Sequence, residues 1–297
     1  MNKILITGAS GMLGATLVDV WKDKYIIFAT GGSDFPSNPA RNYKVFDLSS
    51  DSYDDLAKFC KPEFIIHCAA ITKVEQCEKN PEAAMKINGE SVKKLLNAFP
   101  QSKLIFISTD KVFSSKTHRG TERNLVDPAT VYGKSKALGE KYILQSPSRS
   151  MIIRTVIVGK NINKNKKSSL AEWIVYSLLK KQRITLFSDV IFTPISIWHF
   201  AYELAWIIEH YDSFMENKIF HISGSDIISK YEFGYRLSKN LKLNTDLILE
   251  GSIVKSKLMI NNLKDLTLDS TKYQSFSGRK LPTSSETISM LVKNFSN

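Results

Sequence analysis

The chain has 297 residues, 43% of them hydrophobic and 24% charged, with a formal net charge of +12. That length holds one large domain or two closely joined ones with ample core, and the composition is ordinary for a globular protein. It excludes a membrane span, since no apolar run is long enough, and the charge alone leaves nucleic acid, a membrane surface and a small anionic ligand open.

The N-terminus, Met1-Asn2-Lys3-Ile4-Leu5-Ile6, runs straight into a strand-like segment, without the apolar stretch and cleavage site of a signal peptide. Lys3 to Thr7 is short, apolar and rich in branched residues, which predicts a buried strand. The loop Gly8-Ala9-Ser10-Gly11-Met12-Leu13-Gly14 follows, and Ala15 to Trp21 reads as helix. Glycines between a first strand and a first helix suit a pyrophosphate: they allow a tight turn, a close backbone approach and close helix packing. The phosphate then meets free N–H groups at a helix N-terminus. The spacing is G-x-x-G-x-x-G rather than the commoner G-x-G-x-x-G.

Tyr25 to Ala29 is a second strand. An acid at its end would select NAD through the ribose 2′-hydroxyl. Here Ala29-Thr30-Gly31-Gly32-Ser33 stands instead, with no carboxylate before Asp34, so NADP is expected, with NAD still open. Asp47 and Leu48, after a third strand-like segment, are placed against the adenine. Asp51 to Cys60 reads as helix, Glu63 to Cys68 as strand and Pro81 to Phe99 as one long amphipathic helix. Lys103 to Ser108 is a strand, Asp127 to Gln145 a helix and Met151 to Arg154 a strand. Cys60, Cys68 and Cys77 are odd in number and lack paired-ligand spacing. They read as reduced thiols of a cytoplasmic protein, with no metal site.

Strands alternating with helices predict an α/β fold: a doubly wound parallel sheet of the Rossmann type. Ligands in such sheets bind beyond the carboxyl ends of the strands, here Thr7-Gly8, Cys68-Ala69-Ala70 and Ser108-Thr109-Asp110. After about residue 155 the alternation breaks up, and a smaller C-terminal substrate lobe is expected. The boundaries are 1–157 for the dinucleotide domain, with return segments within 182–224, and 158–181 with 225–297 for the lobe. Leu170 to Lys180 and Ser196 to Glu209 look helical, and Lys218 to Ser223 looks like a strand. Lys160, Lys164, Lys166 and Lys167 lie among Asn and Ser and read as a solvated loop. With no nucleic-acid motif beside them, no nucleic-acid partner is expected.

Tyr132 and Lys136 stand four residues apart on the helix-like segment, hence on one face. At ~4 Å and an effective dielectric of about 20, one charge is worth roughly 4 kcal/mol, or about 3 pKa units. That would bring a phenol toward the range where a general acid works. His67, His199 and His221 read as packed structural residues, and Trp173, Trp198 and Trp206 as core.

Gly8 to Gly14, Cys68-Ala69-Ala70, Ser108-Thr109-Asp110 and Tyr132 with Lys136 come in the order of the extended short-chain dehydrogenases/reductases, which the chain resembles. It is most similar to the dTDP-4-dehydrorhamnose reductases and their sugar-nucleotide relatives. That likeness rests on Ala69 to Glu78, Asn88, Ile107 to Phe113, Thr193-Pro194, Phe220 to Gly224 and Asp265 to Asp269.

The resemblance implies reduction of a sugar C4 carbonyl by NADP(H) in surface-polysaccharide biosynthesis. Tyr132 would protonate the oxygen, Lys136 would lower the phenol pKa and hold the nicotinamide ribose, and Thr109 would hydrogen-bond the same oxygen. Asp110 would contact the sugar. Ser10, Met12, Leu13, Cys68, Ala69, Ala70, Thr72 and Ser108 would line the cofactor, and Asn88 would be a structural and cofactor-side residue rather than an acid or base. A nucleotide sugar is the implied partner, with no membrane, and a homodimer is a possible assembly. The family usually has an aromatic residue at Lys111, Arg-Thr-Ser-Trp at Arg154-Thr155-Val156-Ile157 and Arg-Pro at Asn262-Leu263. These departures fall on the substrate side and leave the sugar and base open. A non-catalytic regulatory subunit and an epimerase share this fold and are the alternatives.

Overall fold

Ile4, Leu5 and Ile6 are fully buried, as expected of a strand covered on both faces. In the computed structural model, which describes residues 1–33, 42–114, 117–164, 168–214, 216–255 and 264–296, they lie in the middle of a parallel sheet. Asp34, Lys166, Lys167 and Asn262-Leu263, singled out above, lie outside the described residues.

The first half runs β1 (Lys3–Thr7), α1 (Met12–Trp21), β2 (Ile26–Gly31), β3 (Asn42–Val45), α2 (Asp54–Phe59), β4 (Phe64–His67), α3 (Val74–Lys79), α4 (Pro81–Ala84), α5 (Ser91–Ala98), β5 (Lys103–Thr109), α6 (Val131–Gln145) and β6 (Met151–Thr155). The second half adds β7 (Ile157–Val158), α7 (Leu170–Leu179), β8 (Ile184–Phe187), β9 (Ile191–Phe192), β10 (Ile195–Ser196), α8 (Ile197–Glu209), β11 (Ile219–His221), β12 (Ile228–Ser229), α9 (Lys230–Asn240), β13 (Ile248–Gly251), β14 (Asp265–Leu266), α10 (Thr271–Ser277) and α11 (Ser284–Phe295).

The main sheet has 7 strands in the order β11-β6-β5-β4-β1-β2-β3, all parallel. The order reverses between β1 and β4, where Thr7 pairs with His67. A doubly wound sheet opens its ligand crevice at such a reversal. One apolar core, including Leu17, Trp21, Phe200 and Leu204, covers one face of the sheet; a second, including Leu56, Val92, Leu95 and Phe106, covers the other. A third core, from Val158, Ile174, Leu186, Phe192, Phe233 and Leu291, gathers the remaining elements around three small sheets.

Two helices differ from the sequence pattern. The expected single helix over 81–99 is α4, a π-helical segment at Met85–Glu90, and α5. An inserted wide turn of this kind re-aims side chains and recurs at functional sites. Here it carries the buried Asn88, whose Nδ2 donates to the Ile71 carbonyl (3.0 Å) and to Ser135 Oγ (2.9 Å), while its Oδ1 accepts from Ile71 N–H (2.7 Å). The helix expected from Asp127 begins instead at Val131. Pro128 holds Asp127 away from helical angles, and Thr130 caps the end by accepting from Gly133 N–H at 3.0 Å.

Candidate active site

The carboxyl ends of β1, β4 and β5 open into one cleft of 760 Å³. It is lined by the glycine loop (Gly8, Ser10, Gly11, Met12, Leu13, Gly14), by Asp47 and Leu48, and by Cys68, Ala69, Ala70 and Thr72. Ser108, Thr109, Asp110, Tyr132 and Lys136 complete the set proposed from sequence, so all these residues face one space. Thr155, Asn161, Ser168 and Lys230 line it as well. Thr155 belongs to the run already noted as a departure from the family pattern, whereas no sequence pattern singled out Asn161, Ser168 and Lys230, which come from the part of the chain without regular alternation.

The glycine loop is built as a backbone cradle. Gly8 takes a φ of +70°, in the left-handed region that favours glycine, and a Cβ there would lie 2.6 Å from Ala69 Cα. At Gly14 a Cβ would lie 2.4 Å from the Gly8 carbonyl oxygen, so the first turn of α1 sits directly on the loop. Gly11 occupies the N-cap without a side-chain cap bond, which leaves the first-turn N–H groups without a side-chain acceptor. At the end of β2, Gly31 and Gly32 line the same space, and among the described residues a Cβ on Gly32 would meet nothing within 4 Å. Asp47 turns its Oδ1 to Ser49 N–H at 2.8 Å. These features fit a dinucleotide.

Tyr132 and Lys136 sit on the buried face of α6. Gly133, between them, lets the helix close on the turn that follows β5: a Cβ there would stand 2.1 Å from the Lys111 carbonyl oxygen. Gly133→Ala is therefore expected to cost about 1–3 kcal/mol by overpacking, read as a lower denaturation midpoint. An unchanged midpoint would show that α6 shifts at no cost.

Burial, with the Asp110 carboxylate second, raises the Tyr132 phenol above its ordinary value, and the Thr109 hydroxyl pulls it back. Burial pushes the Lys136 ammonium down to about 7, against an upward pull from Glu140. The sequence-level expectation that Lys136 lowers the phenol is thus not met by this geometry. Desolvation is the largest cause of both shifts, and the Lys136 Nζ lies 3.9 Å from the Phe106 ring centroid. Thr109 Oγ1 donates to Asp110 Oδ1 at 2.7 Å, while Asp110 Oδ2 is buried without a hydrogen bond.

Beneath these groups runs a buried network. Ser108 Oγ donates to Glu140 Oε1 (2.5 Å), and Arg154 grips both oxygens of Glu140 at 2.9 and 2.6 Å. It ties β5 and β6 to the helix that carries Tyr132 and Lys136.

His67 bonds through both ring nitrogens, to Thr7 and Ser91, as a packed residue does. His221 lies 3.3 Å from Arg154 Nη1, and His199 bonds Ser196. Trp198 and Trp206 pack on the main core, but Trp173, expected in the core, is 41% exposed because it faces a second cavity. The three cysteines are free thiols. Among the described residues no group of three or more His, Cys, Asp or Glu is placed to hold a metal ion, and no helix is long and apolar enough to cross a membrane.

The chain is 30% identical over 253 residues to the spore coat polysaccharide biosynthesis protein SpsK of Bacillus subtilis, spanning 84% of this chain and 82% of that one. A dTDP-4-dehydrorhamnose reductase from Bacillus anthracis, solved in complex with NADP, superposes with a TM-score of 0.86 at 22% identity over 99% of each chain. A hypothetical dTDP-4-dehydrorhamnose reductase from Sulfolobus tokodaii does so at 0.77 and 27% identity, over 92% of this chain and 94% of that one. Both share the α/β architecture with its parallel sheet. Residues 1–296 match the sequence model described as the RmlD substrate binding domain, and the chain belongs to that family.

Proposed function

We propose that this protein is an NADP(H)-dependent oxidoreductase that reduces a 4-keto sugar nucleotide, acting in the cytoplasm in surface-polysaccharide biosynthesis. One observation carries the reading: a buried phenol, ammonium and hydroxyl from Tyr132, Lys136 and Thr109 line the same cleft as a glycine cradle. The dTDP-4-dehydrorhamnose reductase structure with bound NADP supports the cofactor, and the polysaccharide-biosynthesis relative supports the process. NAD would be the weaker cofactor, since the end of β2 offers Gly31 and Gly32 where a carboxylate would hold a 2′-hydroxyl.

Residues 1–157, with return segments within 182–224, form the dinucleotide domain in this reading. Residues 158–181 and 225–297 form the substrate lobe. Bound NADPH supplies the hydride. Gly8, Ser10, Gly11, Met12, Leu13 and Gly14 seat its pyrophosphate, Asp47 and Leu48 flank the adenine, and Cys68, Ala69, Ala70, Thr72 and Ser108 line its path. Thr109 and Tyr132 hold the sugar oxygen, and Tyr132 delivers the proton. A raised phenol stays protonated near neutral pH, which is the form a reduction requires. Lys136 holds the nicotinamide ribose, and Asp110 takes a sugar hydroxyl through its unbonded oxygen.

The direct test offers 4-keto nucleotide sugars with NADPH and NADH and follows loss of reduced cofactor. Cofactor binding without reduction of any such sugar would favour a non-catalytic subunit, and retained NAD without net oxidation an epimerase. A homodimer belongs to the same reading and is checked by the mass in solution.

The Lys136 shift sets a pH dependence. kcat/KM for NADPH reports the free protein, so it is expected to fall as pH rises through about 7 and the ammonium is lost. Between that value and the ordinary 10.5, the unfolded chain binds the proton and the folded one does not. Stability should therefore rise with pH over the same window. A kcat/KM that is flat from pH 6 to 9 would remove Lys136 from cofactor binding.

A further inference from the structure

A second cavity of 550 Å³ adjoins the first, and Lys111, Leu170 and Lys230 line both. We infer that Lys111 and Lys230 form an anion subsite at this junction, which takes the diphosphate of the nucleotide sugar. The inference rests on the reductase reading and says where the substrate bridges the two cavities.

The two cations come from different elements. Lys111 follows the end of β5, and Lys230 is the first residue of α9. A lysine at a helix N-terminus opposes the macrodipole, which favours negative charge there. Ser229 caps the same end by accepting from Glu232 N–H at 3.0 Å. Lys230 is only partly exposed, and its Nζ lies 3.3 Å from the Phe192 ring centroid. Burial, with the Lys111 charge second, pushes the Lys230 ammonium down to about 7, while Asp110 pulls it up.

Asp110 answers one of the two charges, with Oδ2 3.5 Å from Lys111 Nζ. Its other oxygen is taken by Thr109. Glu75 also lines the second cavity, but the charges that act on Lys230 are those of Lys111 and Asp110, and an anion there would relieve both the dipole and the repulsion between the lysines.

The geometry also selects which anion. Tyr132, Thr109 and Lys136 lie in the first cavity, so the reacting sugar sits there. The second cavity offers Trp173, Phe187 and Val190, an apolar and aromatic lining suited to a base. Whatever joins sugar to nucleoside then crosses the shared wall, and in a nucleotide sugar that joint is the diphosphate.

The test is calorimetric titration of the full chain, saturated with NADP, with thymidine diphosphate, uridine diphosphate and thymidine. At least one diphosphate is expected to bind well above thymidine and to weaken as salt rises. Lys230→Gln and Lys111→Gln should each weaken diphosphate binding about tenfold or more, as loss of a charged hydrogen bond implies. Lys230→Arg should restore most of it, which a merely misfolded variant would not do. Failure of both diphosphates to bind, equal binding of thymidine, or unchanged affinity in both Gln variants overturns the subsite. Separate titration with NADP and the keto-sugar assay judge the reductase reading, so the two can fail independently.

Discussion

Tyr132→Phe is expected to cut turnover about a hundredfold or more, the usual share of a general acid, while NADP still binds. The phenol ring packs with Cys77 and Ala84, and with Ile71, Val74 and Val131 around them. Phenylalanine keeps those contacts, so the variant loses one hydroxyl and opens no cavity. Its thermal midpoint should therefore stay close to that of the parent chain. The measurement is steady-state reduction of a 4-keto nucleotide sugar beside cofactor titration of the same preparation. Full activity would remove Tyr132 from the chemistry, and loss of cofactor binding would make its role structural.

Arg154→Met should produce the largest loss of stability, about 3–5 kcal/mol, because it strands a buried carboxylate. Arg154 and Glu140 are 1% and 2% exposed at the side chain, so water cannot replace the lost partner. Replacing both, as Arg154→Met with Glu140→Leu, should cost less than the single change, since no charge is left unpaired. Chemical denaturation of the single and double variants decides this. A single variant within about 1 kcal/mol of the parent would mean that the pair is solvated in solution. Through Ser108, the network also holds the strand end that presents Thr109. Activity of the single variant should fall along with its stability.

Sequence periodicity found the strands because runs such as Ile4-Leu5-Ile6 and Leu104-Ile105-Phe106-Ile107 must be buried on both faces. It missed the π-helical turn at Met85–Glu90, since one extra residue per turn hardly disturbs an apolar stripe. It also placed the start of α6 at Asp127, because the cap at Thr130 is a local hydrogen bond that apolar spacing does not record. Trp173 read as core because helical position says which residues share a face but not what that face meets.

By itself, the order of residues determined the parallel α/β architecture, the glycine cradle after β1 and the shared face of Tyr132 and Lys136. Each follows from spacing within a few turns or strands. The tertiary structure alone decided the charge states there and the company the residues keep. Burial moves the Tyr132 phenol up and the Lys136 ammonium down. The tertiary structure likewise decided the meeting of Lys111 with Lys230, and of Glu140 with Arg154. Such pairs lie far apart along the chain or on different elements, and desolvation depends on every segment that packs around them.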